Sequence, residues 1–114
     1  MVTAAQKSVQ TPCTAVEVEA ALKVLEGRWK MIIVFHLFSA AALRFSELQR
    51  AIPGISQKML IQQLRDLERH GIVTRKVYPE VPPKVEYALS ESGLALRPAL
   101  LALQAWSASY GANW

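Results

Sequence analysis

Pro53 and Gly54 cut an otherwise helical stretch in two, and the hydrophobic period changes again at Gly71. Few folds accept both events in so short a segment. Before the break, Phe45, Leu48 and Ile52 recur at the three- and four-residue steps of one helix face. Ser46 with Gln49 matches a capping box for that helix. Proline and glycine then stop it and supply a tight turn. Beyond the turn, Ser56 is placed to cap a second helix, which carries Leu60, Leu64 and Leu67 on one side and closes at Gly71. The pattern therefore predicts a supporting helix over Ser46–Ile52 and a second helix over Ser56–His70. A joint of about four residues between them is the helix-turn-helix spacing.

After Gly71 the sequence alternates. Ile72–Tyr78 and Lys84–Leu89 are rich in β-branched and aromatic residues, with Pro79, Pro82 and Pro83 between them, and read as a hairpin. A hairpin directly behind the second helix predicts a winged helix-turn-helix, mainly α with a small β-hairpin wing.

The remaining segments supply the scaffold. Residues 1–14 lack periodicity and read as a flexible arm. Ala15–Leu25 has apolar residues at helical steps, including Val18 and Leu22, and ends before Gly27. Trp29–Phe38 is apolar on nearly every side, as a buried central helix should be, and Ser39–Leu43 reads as a connection. Ser90 can cap a last helix, and Pro98 inside it is expected to kink it. Residues 15–110 thus form one predicted domain, with 111–114 as a tail. Apolar residues make up 52% of the chain and cover more than one face of the last helix. One domain core needs only one such face, so the surplus predicts a homodimer. Val18, Leu22, Leu100, Leu103, Trp106 and Tyr110 are its expected interface.

Several classes of function are disfavoured. The longest apolar stretch, Met31–Leu43, is interrupted by His36 and Ser39 and falls short of the roughly 20 residues that span a bilayer. No secretory pattern opens the chain. The expected location is the cytoplasm, at the nucleoid, with no membrane partner. Cys13 is the single cysteine, and His36 and His70 are far apart, so neither a disulfide framework nor a metal site is expected. There is no phosphate-binding glycine loop and no nucleophile beside a histidine, so no enzyme and no cofactor are expected.

Charge is concentrated where the motif lies. From Arg44 to Lys84 there are eight Lys/Arg against four acids, which accounts for the whole net charge of +4. A basic face of this kind suits a polyanion such as double-stranded DNA. It also argues against a winged helix used only for protein contacts.

The motifs taken together resemble a known family. Gly27-Arg28-Trp29, Arg44-Phe45-Ser46-Glu47-Leu48, Ile52-Pro53-Gly54-Ile55-Ser56-Gln57-Lys58-Met59-Leu60, Leu64-Arg65-Asp66-Leu67-Glu68, Gly71-Ile72-Val73 and Pro82-Pro83-Lys84-Val85-Glu86-Tyr87 occur in order. Over about residues 16 to 107 the chain resembles the HxlR-type winged helix-turn-helix regulators. The resemblance implies a DNA-binding homodimer, joined through its first and last helices, that represses or activates nearby genes. We take it as a repressor. Some members sense quinones, electrophiles or oxidants through a cysteine just before the first helix, which makes Cys13 the candidate redox sensor, with Lys23 or Arg28 favouring its thiolate. The alternative signal is a small aromatic effector held between subunits near Trp29, Trp106 and Tyr110.

Residue types then suggest roles on DNA. With the leucines inward, the outward face of the second helix is Gln57, Lys58, Ile61, Gln62 and Arg65, with Ser56 at the cap. Glutamine pairs with adenine edges, lysine and arginine with guanine or phosphate, and isoleucine with a thymine methyl. Arg44 and Arg50 border the supporting helix, and Arg75, Lys76 and Lys84 flank the wing tip, as expected phosphate contacts.

Overall fold

The structure, a computed structural model, describes residues 11–111. In chain order the elements are α1 (Thr11–Val24), α2 (Lys30–Phe38), β1 (Leu43–Arg44), α3 (Phe45–Ala51), α4 (Gln57–Arg69), β2 (Val73–Tyr78), β3 (Lys84–Leu89), α5 (Glu91–Ala95) and α6 (Arg97–Tyr110). The chain is mostly helical with one antiparallel sheet in the order β1-β3-β2.

α2 packs one side into the centre of the fold, while Ile32 and Phe35 on its other side are exposed. Ile33, Val34 and Leu37 are buried, and the helix touches α3, α4 and β3. Leu48 of α3, Leu60, Leu64 and Leu67 of α4 and Val73 of β2 join the same cluster. None of the three α4 leucines is more than 1% exposed. Leu60, Leu64 and Leu67 therefore fix which side of α4 faces outward.

The turn before α4 forms as expected. Gly54 takes φ +85°, a conformation that costs L side chains but not glycine. Ser56 Oγ then accepts a hydrogen bond from the Met59 backbone N–H at 3.0 Å, capping α4.

Other expectations are corrected. Helix α1 begins at Thr11, so residues 11–14 of the expected arm, Cys13 among them, are helical; residues 1–10 lie outside the described part. The Ser39–Leu43 connection ends in β1, whose Leu43 and Arg44 pair with Tyr87 and Glu86. Because Arg44 is still extended there, α3 starts at Phe45, and the cap shifts from the Ser46–Gln49 box. Instead, the Arg44 backbone N–H donates to Glu47 Oε1 at 2.7 Å. Pro98 does not kink one long helix. The chain forms two, α5 and α6, with proline in the first turn of α6, where its missing N–H has no helical partner to lose.

Ser90 ties the base of the hairpin together. Its Oγ accepts from the Gly93 N–H to cap α5, its hydroxyl donates to the Gly71 carbonyl, and its backbone N–H donates to Ile72 O at 2.9 Å. This closeness requires glycine at 93, where a Cβ would lie 2.3 Å from the Ile72 carbonyl oxygen. Backbone cannot yield as a flexible side chain would. Gly93→Ala is expected to cost about 1–3 kcal/mol of folding stability, read as a lower urea midpoint with an unchanged m-value.

Candidate nucleic-acid interface

With its leucines fixed inward, α4 turns Gln57, Lys58, Gln62 and Arg65 to solvent. These side chains, with Ile61, Asp66 and Arg69, line an open depression of about 680 Å³. Gln57, Lys58 and Gln62 form no side-chain hydrogen bond or ion pair among the described residues, so their polar groups are available to a partner. Ile61 is partly buried, because it also lines a second hollow between α4 and the sheet with Phe45, Val85 and Tyr87. The exposed Ser56 remains at the cap and is committed to Met59.

The hairpin register separates three basic residues that are close in sequence. Alternation puts Arg75 and Lys76 on opposite faces. Arg75 pairs across the ladder with Tyr87 on the face turned to α4, and its Nε lies 3.7 Å from Glu68 Oε1 of that helix. Lys76 and Tyr78 share the other face with Lys84 and Glu86. There both ammonium groups lie over the Tyr78 ring, at 4.9 and 4.8 Å from its centroid, and Lys84 Nζ is 3.4 Å from Glu86 Oε2. Lys84 is thus anchored within the wing and Lys76 is the more exposed of the two. Arg44 and Arg50 are exposed at the two ends of α3.

Two carboxylates and a phenol near this surface have shifted ionisation. The Tyr78 hydroxyl donates to Glu86 Oε1 at 2.9 Å and, with Lys84 and Arg44 adding their charge, holds that carboxyl below its ordinary value of 4.5. The Arg69 hydrogen bond, with Lys30 adding to it, holds Asp66 below 3.8. Burial pushes Tyr87 above 10.0. Asp66, Glu68 and Tyr78 were not singled out from sequence. Only the three-residue step between Asp66 and Arg69 could have marked one of them.

Of the expected subunit contacts, Val18, Leu22, Leu103, Trp106 and Tyr110 are each about half exposed or more. Leu100 is corrected: at 3% exposure it belongs to the protomer's own core. Among the described residues no helix is long and apolar enough to cross a membrane.

A family model described as HxlR-like helix-turn-helix matches residues 24–113. The HTH-type transcriptional regulator YtcD of Bacillus subtilis (strain 168) is 52% identical over 95 residues, which are 83% of this chain and 75% of YtcD. Among solved structures, the redox regulator HypR in its reduced form matches with a TM-score of 0.78 and 46% identity, over 84% of this chain and 94% of HypR. The reduced transcriptional regulator YodB from B. subtilis matches with 0.76 and 41%, over 82% and 91%. Both also match in a second state, HypR oxidized and YodB treated with diamide.

The wing network has a measurable signature. A depressed Glu86 pKa means that its contribution to stability is present above 4.5 and is lost as pH falls through the lower, folded value. Tyr78→Phe removes the largest cause. The Glu86 carboxyl, followed by carbon NMR, is expected to titrate closer to 4.5 in the variant, with a shallower loss of stability in acid.

Proposed function

Because the chain belongs to the HxlR-like helix-turn-helix family, a family of DNA-binding transcription regulators, we propose that it is a sequence-specific repressor that binds its operator as a homodimer. The observation that carries this reading is the outward face of α4. It offers uncommitted Gln57, Lys58 and Gln62 on a helix whose inward side three buried leucines establish. A helix of that kind fits the major groove, where glutamine reads adenine and lysine or arginine reads guanine. Arg44, Arg50 and the wing cation Lys76 then hold the phosphate backbone, which positions the protein without choosing sequence.

Dimerisation is supported by what the protomer leaves uncovered. Val18 and Leu22 on α1 and Leu103, Trp106 and Tyr110 on α6 are exposed. The radius of gyration is 17.1 Å, against about 13 Å for a compact domain of roughly this size. Helices that stand away from their own core gain most by packing on a second copy. Two recognition helices related by a two-fold axis would read an inverted repeat with half-sites roughly 34 Å apart.

A redox input is the second reading, supported by the likeness to the redox regulator HypR and to diamide-treated YodB. Cys13 is the only thiol of the chain and lies in the first turn of α1. With one thiol per chain, the reversible products are an intersubunit disulfide, a mixed disulfide or a sulfenic acid. Each would alter the helix we assign to the dimer.

Selection of binding sites from random duplexes with purified protein tests the main reading, and enrichment of no inverted repeat would refute it. Gln62→Ala is expected to reduce discrimination against a changed base by about 1–3 kcal/mol. Lys76→Ala should weaken operator and random DNA alike and lower the slope of log affinity against log salt by about one. Cys13→Ser is expected to abolish any effect of diamide on operator binding, and an unchanged response would assign sensing elsewhere.

A further inference from the structure

Helix α4 contains two acids, Asp66 and Glu68, on an element meant to meet a polyanion. Both are paired with cations from other elements. Asp66 Oδ2 is 3.4 Å from Lys30 Nζ of α2, and Glu68 Oε1 is 3.7 Å from Arg75 Nε of β2. At about 100° per residue the two carboxylates are about 200° apart around the helix axis, on opposite flanks of the leucine stripe. One flank therefore faces α2 and the other faces the sheet.

The two pairs differ in shelter. The Arg75 and Glu68 side chains are 46% and 41% exposed, whereas those of Lys30 and Asp66 are 13% and 26% exposed. An exposed pair is screened by water and salt, so the α2 side holds more firmly. Asp66 also accepts from Arg69 on its own helix at 2.5 Å, which fixes the carboxylate toward Lys30. Trp29, which immediately precedes Lys30, backs onto Gly54, where a Cβ would stand 4.0 Å from Trp29 Cη2. Arg28 lies over the Trp29 ring at 4.4 Å.

We propose that the Lys30–Asp66 ion pair, opposed by Arg75–Glu68 on the other flank, is a positioning clamp that sets the roll of α4 and so determines sequence discrimination more than overall DNA affinity. Leucine burial alone tolerates small rotations, because the hydrophobic effect is non-directional. A charge pair on each flank makes a rotation in either direction lengthen one contact. The base-reading side chains stand at the far end of that rotation, where a change of aim alters which base edges they meet. The proposal rests on the assignment of α4 as the reading helix for its consequence on DNA, but not for the clamp itself.

The test uses the intact chain and the double variant Lys30→Met with Asp66→Asn, which removes the pair while keeping the net charge. In DNA-free protein, residual dipolar couplings of the α4 amides relative to α2 are expected to change in the double variant and to be retained in Lys30→Arg. Unchanged couplings in a folded double variant would overturn the clamp, whatever the protein does on DNA. On DNA, the ratio of operator to random-duplex affinity is expected to fall about three- to tenfold in the double variant, and Lys30→Arg should preserve the ratio. A ratio that does not move would refute the role in discrimination. A wild-type protein that binds both duplexes equally would refute the DNA-reading assignment, while the couplings still decide the clamp. Should the double variant fail to fold, Lys30→Gln alone carries the same measurements.

Discussion

The packing of Leu60, Leu64 and Leu67 of α4 against the buried side of α2 is the contact on which the rest depends. A helix has one rotational freedom that its own hydrogen bonds cannot fix. Burying three leucines on one stripe fixes it coarsely, at a stabilisation of about 1.5–3 kcal/mol for each side chain removed from water. The outward face follows from the inward one. Gln57, Lys58 and Gln62 point to solvent because the leucines do not. The outward surface of this helix inherits its geometry from that apolar contact.

The sheet does the same for the wing. β3 is the middle strand, so it is hydrogen-bonded to β2 on one side and to β1 on the other. Since β1 runs directly into α3, the supporting helix and the hairpin share one backbone ladder. Ser90 then fastens the foot of that hairpin to the end of α4 through Gly71 and Ile72. The wing cations, α3 and α4 are consequently held in one frame.

What could be seen in the sequence is what is encoded locally. The Ser56 cap, the turn at Gly54, the leucine stripe and the hairpin depend on residues within a few positions of one another, and each was found where expected. Two of the corrections fall where the deciding partner is distant. Leu43 and Arg44 form a strand only because Tyr87 and Glu86 come to meet them. That pairing moved the start of α3 and with it the cap. Leu100 has the same side chain as Leu103, and only its place on α6 relative to the core decides that one is buried and the other half exposed. In the site, the outward face of α4 could be read from its period, whereas the neutralisation of Asp66 by Lys30 joins two helices far apart in the chain.

The absence of internal duties on Gln57, Lys58 and Gln62 among the described residues has an evolutionary meaning. These side chains cap nothing, bridge nothing and fill no cavity, so exchanging them leaves the scaffold intact. Ser56, Asp66 and the leucines cannot be exchanged so freely. On the proposed reading of α4, a gene duplicate could drift to a new set of target promoters by altering three surface letters, while its stability and folding route stayed those of the parent. Such a division between letters and frame lets one small scaffold supply a genome with many separately addressed switches.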